Sequence, residues 1–180
     1  MSFENVHYVN MFLGLGAILL QILSVLVLLM LVFWRKGNPI LRFIKNNFLP
    51  IGFLITFGAV LTSFFYSDIM GYVPCIYCWW DRVLIFPQAA IFGIAWLRKD
   101  RNAFWYSLVL TVFGLYKSLQ HLRLYYYGEG GAPCDASGVS CVQRLVSEFG
   151  GYISIPMLAF TGFFALATLL LVVHFYKKEN

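Results

Sequence analysis

Cys75 and Cys78 form a C-x-x-C motif, and Cys134 and Cys141 follow it in a stretch that contains Gly130, Gly131 and Gly138. Paired thiols at such spacings can cycle between dithiol and disulfide, because a thiolate attacks a sulfur–sulfur bond. Pro74 precedes the first pair, and an apolar run follows it, so Cys75-Ile-Tyr-Cys78 is predicted to open a helix. The positive end of a helix favours thiolate over thiol. Arg82 stands four residues after Cys78, one turn along the same helical face. A cation inside an apolar run is a functional candidate by default. Asp81 precedes it and can pair with another group or neutralise it.

Other chemistries compete for these residues. A structural disulfide between Cys75 and Cys78 would close a four-residue ring and constrain little chain. Zinc could take four cysteines, but C-x-x-C with a distant C-x6-C does not match paired knuckles, and no metal is expected. Cys134 and Cys141 are either a second exchanging pair, made mobile by the glycines, or a loop-closing disulfide. Lys117, Gln120 and His121 gather at the end of a later apolar run, where a lysine can simply snorkel. His121 and His174 fall at opposite ends of their runs, which disfavours haem held between them.

The elements that must position these groups are membrane helices. Of 180 residues, 61% are hydrophobic and only 12% are charged, against roughly 25% charged in a soluble domain. That excess excludes a soluble globular enzyme and intrinsic disorder. Five apolar runs reach the length needed to cross a hydrocarbon core: residues 9–33, 48–69, 79–97, 103 to about 121, and 155–176. Continuous runs predict helices, not the alternating strands of a barrel. The first is too long and lacks the basic flank of a cleaved signal.

Arg35, Lys36, Arg42 and Lys45, then Arg98, Lys99 and Arg101, then Lys177 and Lys178 all fall on one side if the runs alternate. That side is the cytoplasm, so the net charge of +5 reports topology, and no nucleic acid partner is expected. The N-terminus and all four cysteines then face outward, where disulfides persist. Two short stretches are predicted to be interfacial amphipathic helices: residues 39–48, and the stretch carrying Val142, Leu145, Val146 and Phe149. Tyr125, Tyr126, Tyr127, Trp79 and Trp80 suit an aromatic belt at the outer interface. The expected fold is all-α: an integral membrane four-helix bundle over 48–178, joined to an additional N-terminal helix and basic linker over 1–47.

These residues resemble the disulfide bond formation protein B (DsbB) family, and more closely its short-looped Gram-positive-type branch, often called BdbC. The resemblance rests on Pro74-Cys75-Ile-Tyr-Cys78-Trp-Trp-Asp-Arg82, on Cys134 and Cys141, and on Ser154-Ile-Pro156-Met opening the last helix; it covers about 48–178. It implies a bacterial plasma membrane oxidoreductase. Electrons would pass from an extracytoplasmic thioredoxin-fold (DsbA-like) partner through Cys134/Cys141 and Cys75/Cys78 to ubiquinone or menaquinone. Cys78 would be the thiolate that contacts the quinone, Arg82 would hold the quinone and stabilise that thiolate, Cys134 would exchange with the partner, and Cys141 with Cys75. His121 is the nearest candidate for the family's quinone-side histidine. The first helix has no counterpart in that family, the Cys134–Cys141 spacing is short, and Asp81 stands where many members have Glu or Gln. A vitamin K epoxide reductase-like enzyme is disfavoured by order, since its loop cysteines precede its C-x-x-C. A scaffold stapled by inert disulfides does not account for Arg82.

Overall fold

The computed structural model describes residues 3–34, 37–128, 140–142 and 144–176. Cys134, the glycines around it, and the basic residues Arg35, Lys36, Lys177 and Lys178 lie outside that set. The described chain is all helical apart from one isolated antiparallel bridge. Its helices are α1 (Phe3–Phe33), α2 (Pro39–Asn46), α3 (Phe48–Phe64), α4 (Ile76–Arg98), α5 (Ala103–Tyr127) and α6 (Ile155–Phe175), and a π-helical turn, Phe65–Ile69, extends α3.

Among the described residues, three segments are long and apolar enough to cross a membrane: Val6–Phe33, Phe48–Ile69 and Ile155–Phe175. Helices α4 and α5 have 23 and 25 residues, enough at roughly 1.5 Å per residue to reach across roughly 30 Å. They are less apolar because they turn polar groups toward each other. Gln88 of α4 is fully buried, and its Oε1 accepts bonds from Ser107 Oγ at 2.6 Å and Thr111 Oγ1 at 3.0 Å on α5. A buried amide satisfied in this way ties two helices together without an orphan group.

Packing follows α3 on α4, α4 on α5, α5 on α6 and α6 back on α3, with α1 laid along α6. Phe48, Phe92, Phe163, Leu166 and Leu170 form the centre of the main apolar cluster. Two glycines permit close approach there. A Cβ on Gly52 would lie 2.6 Å from the Phe92 ring, and one on Gly114 would lie 2.1 Å from Phe163.

Helix α2 forms where the sequence predicts it. Asn38 caps it by accepting from Ile40 N at 2.9 Å, and Pro39 occupies its first turn. The other predicted amphipathic helix does not form. Glu148 and Ile153 instead exchange backbone hydrogen bonds, each at 3.1 Å. Phe149, Gly150 and Gly151 all have positive φ in the turn between them. That turn splits the apolar residues: Val146 is buried, while Phe149 lies beside Gly14 of α1 and, like Leu145, stays exposed. Tyr125 likewise leaves the expected belt. It is buried, and its hydroxyl donates to Val146 O at 3.4 Å.

Candidate thiol–disulfide site

Cys75 is the N-cap of α4, in extended conformation, and Cys78 lies in the first turn of the helix. Wrapping Ile76, Tyr77 and Cys78 into that turn brings the sulfurs together. Both are free thiols, and their Sγ atoms are 3.3 Å apart. Cys75 is buried, and Cys78 is partly exposed.

Helix α5 supplies the next group. His121 is buried on the face of α5 that meets α4, with Nε2 3.8 Å from Cys75 Sγ and Nδ1 3.3 Å from Asp81 Oδ2. Tyr77 stacks on its ring at 5.3 Å. Asp81, one turn beyond Tyr77, is therefore paired with His121 and is not used to neutralise Arg82. Its other oxygen, Oδ1, is buried without a hydrogen-bond partner among the described residues.

The Cys75 thiol is drawn down from the ordinary 9.0 to about 4. The hydrogen bond from Cys78 is the largest cause. Burial opposes it, and His121 adds to the lowering. The contact between the two sulfurs, with His121 behind Cys75, favours the thiolate at Cys75, whereas the resemblance implies a thiolate at Cys78.

Arg82 sits one turn beyond Cys78. Its Nε donates to Ser63 Oγ at 2.9 Å, its Nη2 donates to Ser63 O at 3.4 Å, and its guanidinium lies 5.3 Å from the Trp79 ring. The guanidinium is thus anchored on α3, and no carboxylate among the described residues pairs with it. A cavity of about 530 Å³ opens beside it, lined by Cys78, Asp81, Arg82 and Ser63 at one end and mainly by aliphatic residues of α1, α3 and α6 beyond. Cys75 and His121 are absent from that lining. Cys75, Cys78, Asp81, Arg82 and His121 thus form one cluster, but His121 stands behind the cysteines and not on the cavity wall.

Cys75, Cys78 and His121 offer three donor atoms within 4.8 Å of one another, a set able to hold a metal ion. A structural zinc site takes four ligands, and the nearby carboxylate of Asp81 is engaged by His121. Cys141 is buried and disulfide-bonded. Cys134 falls outside the described residues, so its place in the exchange is carried by sequence alone. Lys117 lies 5.1 Å from the Trp80 ring. Sequence reasoning missed the anchor Ser63, since an isolated serine in an apolar run has no distinguishing pattern. It also missed the π-turn, which places Tyr66 and Ser67 on the cavity wall.

Comparison with known proteins places the same residues in context. Residues 45–173 match the family described as Disulfide bond formation protein DsbB. The chain is 32% identical over 137 residues to the "Probable disulfide formation protein C 2" of Bacillus anthracis, covering 76% of this chain and 97% of the relative. It is 31% identical over 142 residues to the "SPbeta prophage-derived disulfide bond formation protein B" of Bacillus subtilis (77% and 95%). The "Disulfide bond formation protein C" of Bacillus subtilis is 31% identical over 138 residues (75% and 99%). No solved structure matches the chain.

Proposed function

The chain belongs to the Disulfide bond formation protein DsbB family, and we propose that it reoxidises an extracytoplasmic thioredoxin-fold protein and delivers the electrons to a quinone. The observation that carries this reading is that Cys78 and Arg82 share one wall of an apolar cavity. Apolar cavities of roughly 300–1,000 Å³ with a few convergent polar groups are typical of small-ligand sites.

The residues present fit a quinone. Arg82 offers a fixed, unneutralised cation to a carbonyl oxygen, the unpartnered Oδ1 of Asp81 can accept from a hydroxyl, and the aliphatic remainder suits a lipid-soluble molecule. A bound quinone supplies an acceptor for two electrons and two protons. On the protein side, Cys141 and Cys134 form the outer pair, which takes electrons from the partner's dithiol by exchange. The outer dithiol then reduces a Cys75–Cys78 disulfide, with Cys141 bonding Cys75 in passing. Each exchange makes one sulfur–sulfur bond and breaks another. Closing Cys75–Cys78 again releases two electrons and the Cys78 proton, the second proton being the one that Cys75 has already given up. His121 and Asp81 link Cys75 to the cavity and can take and pass those protons.

In this reading α3 to α6 form the four-helix catalytic bundle over 48–178, and residues 1–47 add a further membrane helix and linker. Five helices span the bacterial plasma membrane with the N-terminus and cysteines outside and the C-terminus in the cytoplasm. Ubiquinone and menaquinone fit the chemistry equally. The test is quinone reduction by purified protein supplied with a reduced thioredoxin-fold partner. Reduction that depends on Cys78 is expected, and an undiminished rate in Cys78→Ser would contradict the proposal.

A further inference from the structure

Helix α1 is tied to its neighbours by two polar side chains. Buried Asn10 accepts from the Tyr66 hydroxyl at 3.0 Å, and Gln21 Nε2 donates to Thr161 Oγ1 on α6 at 2.6 Å. At the other end of α1 the fastening is apolar: Leu31, Leu41, Val172 and Tyr176 bring α1, α2 and α6 together. At roughly 1.5 Å per residue along α3, that end lies roughly 22 Å from Ser63, the anchor of Arg82. A second cavity, of about 430 Å³, opens there. It is lined by Arg42, Lys45 and Asn46 of α2 and by Tyr176, which follows α6.

Arg42, Lys45 and Asn46 stand at i, i+3 and i+4, so they share one side of α2. Lys45 Nζ donates to Tyr176 O at 2.8 Å and lies 5.8 Å from the Tyr176 ring. An ammonium has two further donors. The side chains of Arg42 and Asn46 are exposed and make no hydrogen bond or ion pair among the described residues. Arg101 adds a third cation beside them, its Nη2 donating to Lys45 O at 2.8 Å. The carboxylate of Asp100 at this end is turned onto its own loop, accepting from Asn102 N at 2.9 Å. Cations commonly gather at helix C-termini, where the dipole favours them. Lys45, in the last turn of α2, fits that pattern. Arg42 does not: it follows the N-cap Asn38 by one turn, so the α2 dipole does not account for its charge.

Helix α2 also shows what kind of anion reaches this cavity. Ile40 and Phe43 are 49% and 64% exposed, while Leu41 and Ile44 pack into the bundle. A helix with an exposed apolar flank beside a basic one lies at the membrane interface, and basic pockets between membrane helices take lipid phosphates. We infer that Arg42, Lys45 and Asn46 form a binding site for the phosphate of an anionic phospholipid, which bridges α2 to the end of α6. Free inorganic phosphate offers the same acceptor oxygens but has no acyl chain to lie against Ile40 and Phe43. The site is remote from the cysteines and independent of the quinone reading.

The test is native mass spectrometry of the full chain in detergent, titrated with phosphatidylglycerol and, in parallel, with phosphatidylcholine of the same acyl chains. Wild type should retain one phosphatidylglycerol more tightly than phosphatidylcholine. Arg42→Gln should weaken that binding roughly fivefold, and Arg42→Gln with Lys45→Gln roughly thirtyfold, at about 1 kcal/mol per cation. Arg42→Gln leaves the Lys45–Tyr176 bond in place, glutamine suits a helix, and a helical circular dichroism spectrum confirms folding. Arg98→Gln removes a cation at the same end of the bundle but outside the cavity lining, and should bind as wild type does. Equal retention of the two lipids by wild type would overturn the site. So would an equal loss in Arg98→Gln, or undiminished binding in the double variant. Displacement of phosphatidylglycerol by inorganic phosphate at matched concentration would assign the cavity to a free anion and overturn the lipid as its occupant.

Discussion

His121 holds its Nε2 3.8 Å from Cys75 Sγ while its Nδ1 meets Asp81 Oδ2 at 3.3 Å. One imidazole therefore connects the Cys75 sulfur to a carboxylate on the cavity wall. This arrangement gives a cysteine, a base and an orienting acid in one line, the geometry that activates nucleophilic thiols.

The lowered Cys75 thiol sets a pH dependence. Thiolate absorbance in the reduced protein, taken as the difference from Cys75→Ser, should persist from neutral pH down to about 5 and fall through about 4. An ordinary thiol would lose most of its thiolate below about 8. The sign follows from linkage: the native pKa is depressed, so the thiolate stabilises the reduced fold fully above the ordinary thiol pKa. That contribution shrinks as pH falls and is gone below about 4. His121→Gln should move the midpoint upward. A midpoint near 8 or 9 in the wild type would count against the contact.

Arg82 should act mainly on quinone affinity. Arg82→Ala removes a guanidinium anchored by Ser63, and hydrogen bonds to charged groups contribute about 1.5–3 kcal/mol. The KM for quinone should rise roughly tenfold to a hundredfold. Arg82→Lys should recover only part, since one ammonium cannot bond Ser63 and a carbonyl in the same fork geometry. Equal quinone titrations for wild type and Arg82→Ala would remove Arg82 from the site.

Asp81 should act through His121. Asp81→Asn keeps the shape and removes the charge that orients the ring. Turnover should drop roughly tenfold to a hundredfold, within the range for general acid–base assistance, and the pH–rate profile should move with it. A purely structural role would lower the yield of folded protein and leave that profile where it was.

Gly114 should be among the least replaceable positions. A Cβ there would sit 2.1 Å from the Phe163 ring, and overpacking of this kind costs about 1–3 kcal/mol. Gly114→Ala should lower the unfolding temperature in detergent. Gly16→Ala, whose Cβ meets nothing within 4 Å, should leave it unchanged or raise it slightly, because alanine is the better helix former.

The parts of this site that could be read from the chain are those with a local signature. Cys75, Cys78 and Arg82 lie within eight residues, so two successive helical turns dictate their proximity, and Pro74 marks where the first begins. The apolar runs mark the helices for the same reason. His121 is 46 residues from Cys75 in the chain, and only the packing of α5 on α4 decides that it faces the sulfur and not the cavity. The stretch around Val142 to Phe149 has helical periodicity, but tertiary contacts with α1 and the positive φ values at 149–151 override it. Ser63, Asn10 and Gln21 are isolated polar residues in apolar helices. Their roles exist only once a neighbouring helix presents a partner.

The most direct measurement of the central claim is a single turnover without the partner protein. Protein reduced at Cys75 and Cys78 is mixed anaerobically with an excess of quinone, and quinone loss is followed by absorbance. About one quinone should be consumed per reduced Cys75–Cys78 pair, unchanged when Cys134 and Cys141 are both replaced by serine and abolished in Cys78→Ser. Quinone consumption that survives Cys78→Ser, or that disappears when only the outer pair is removed, would contradict it.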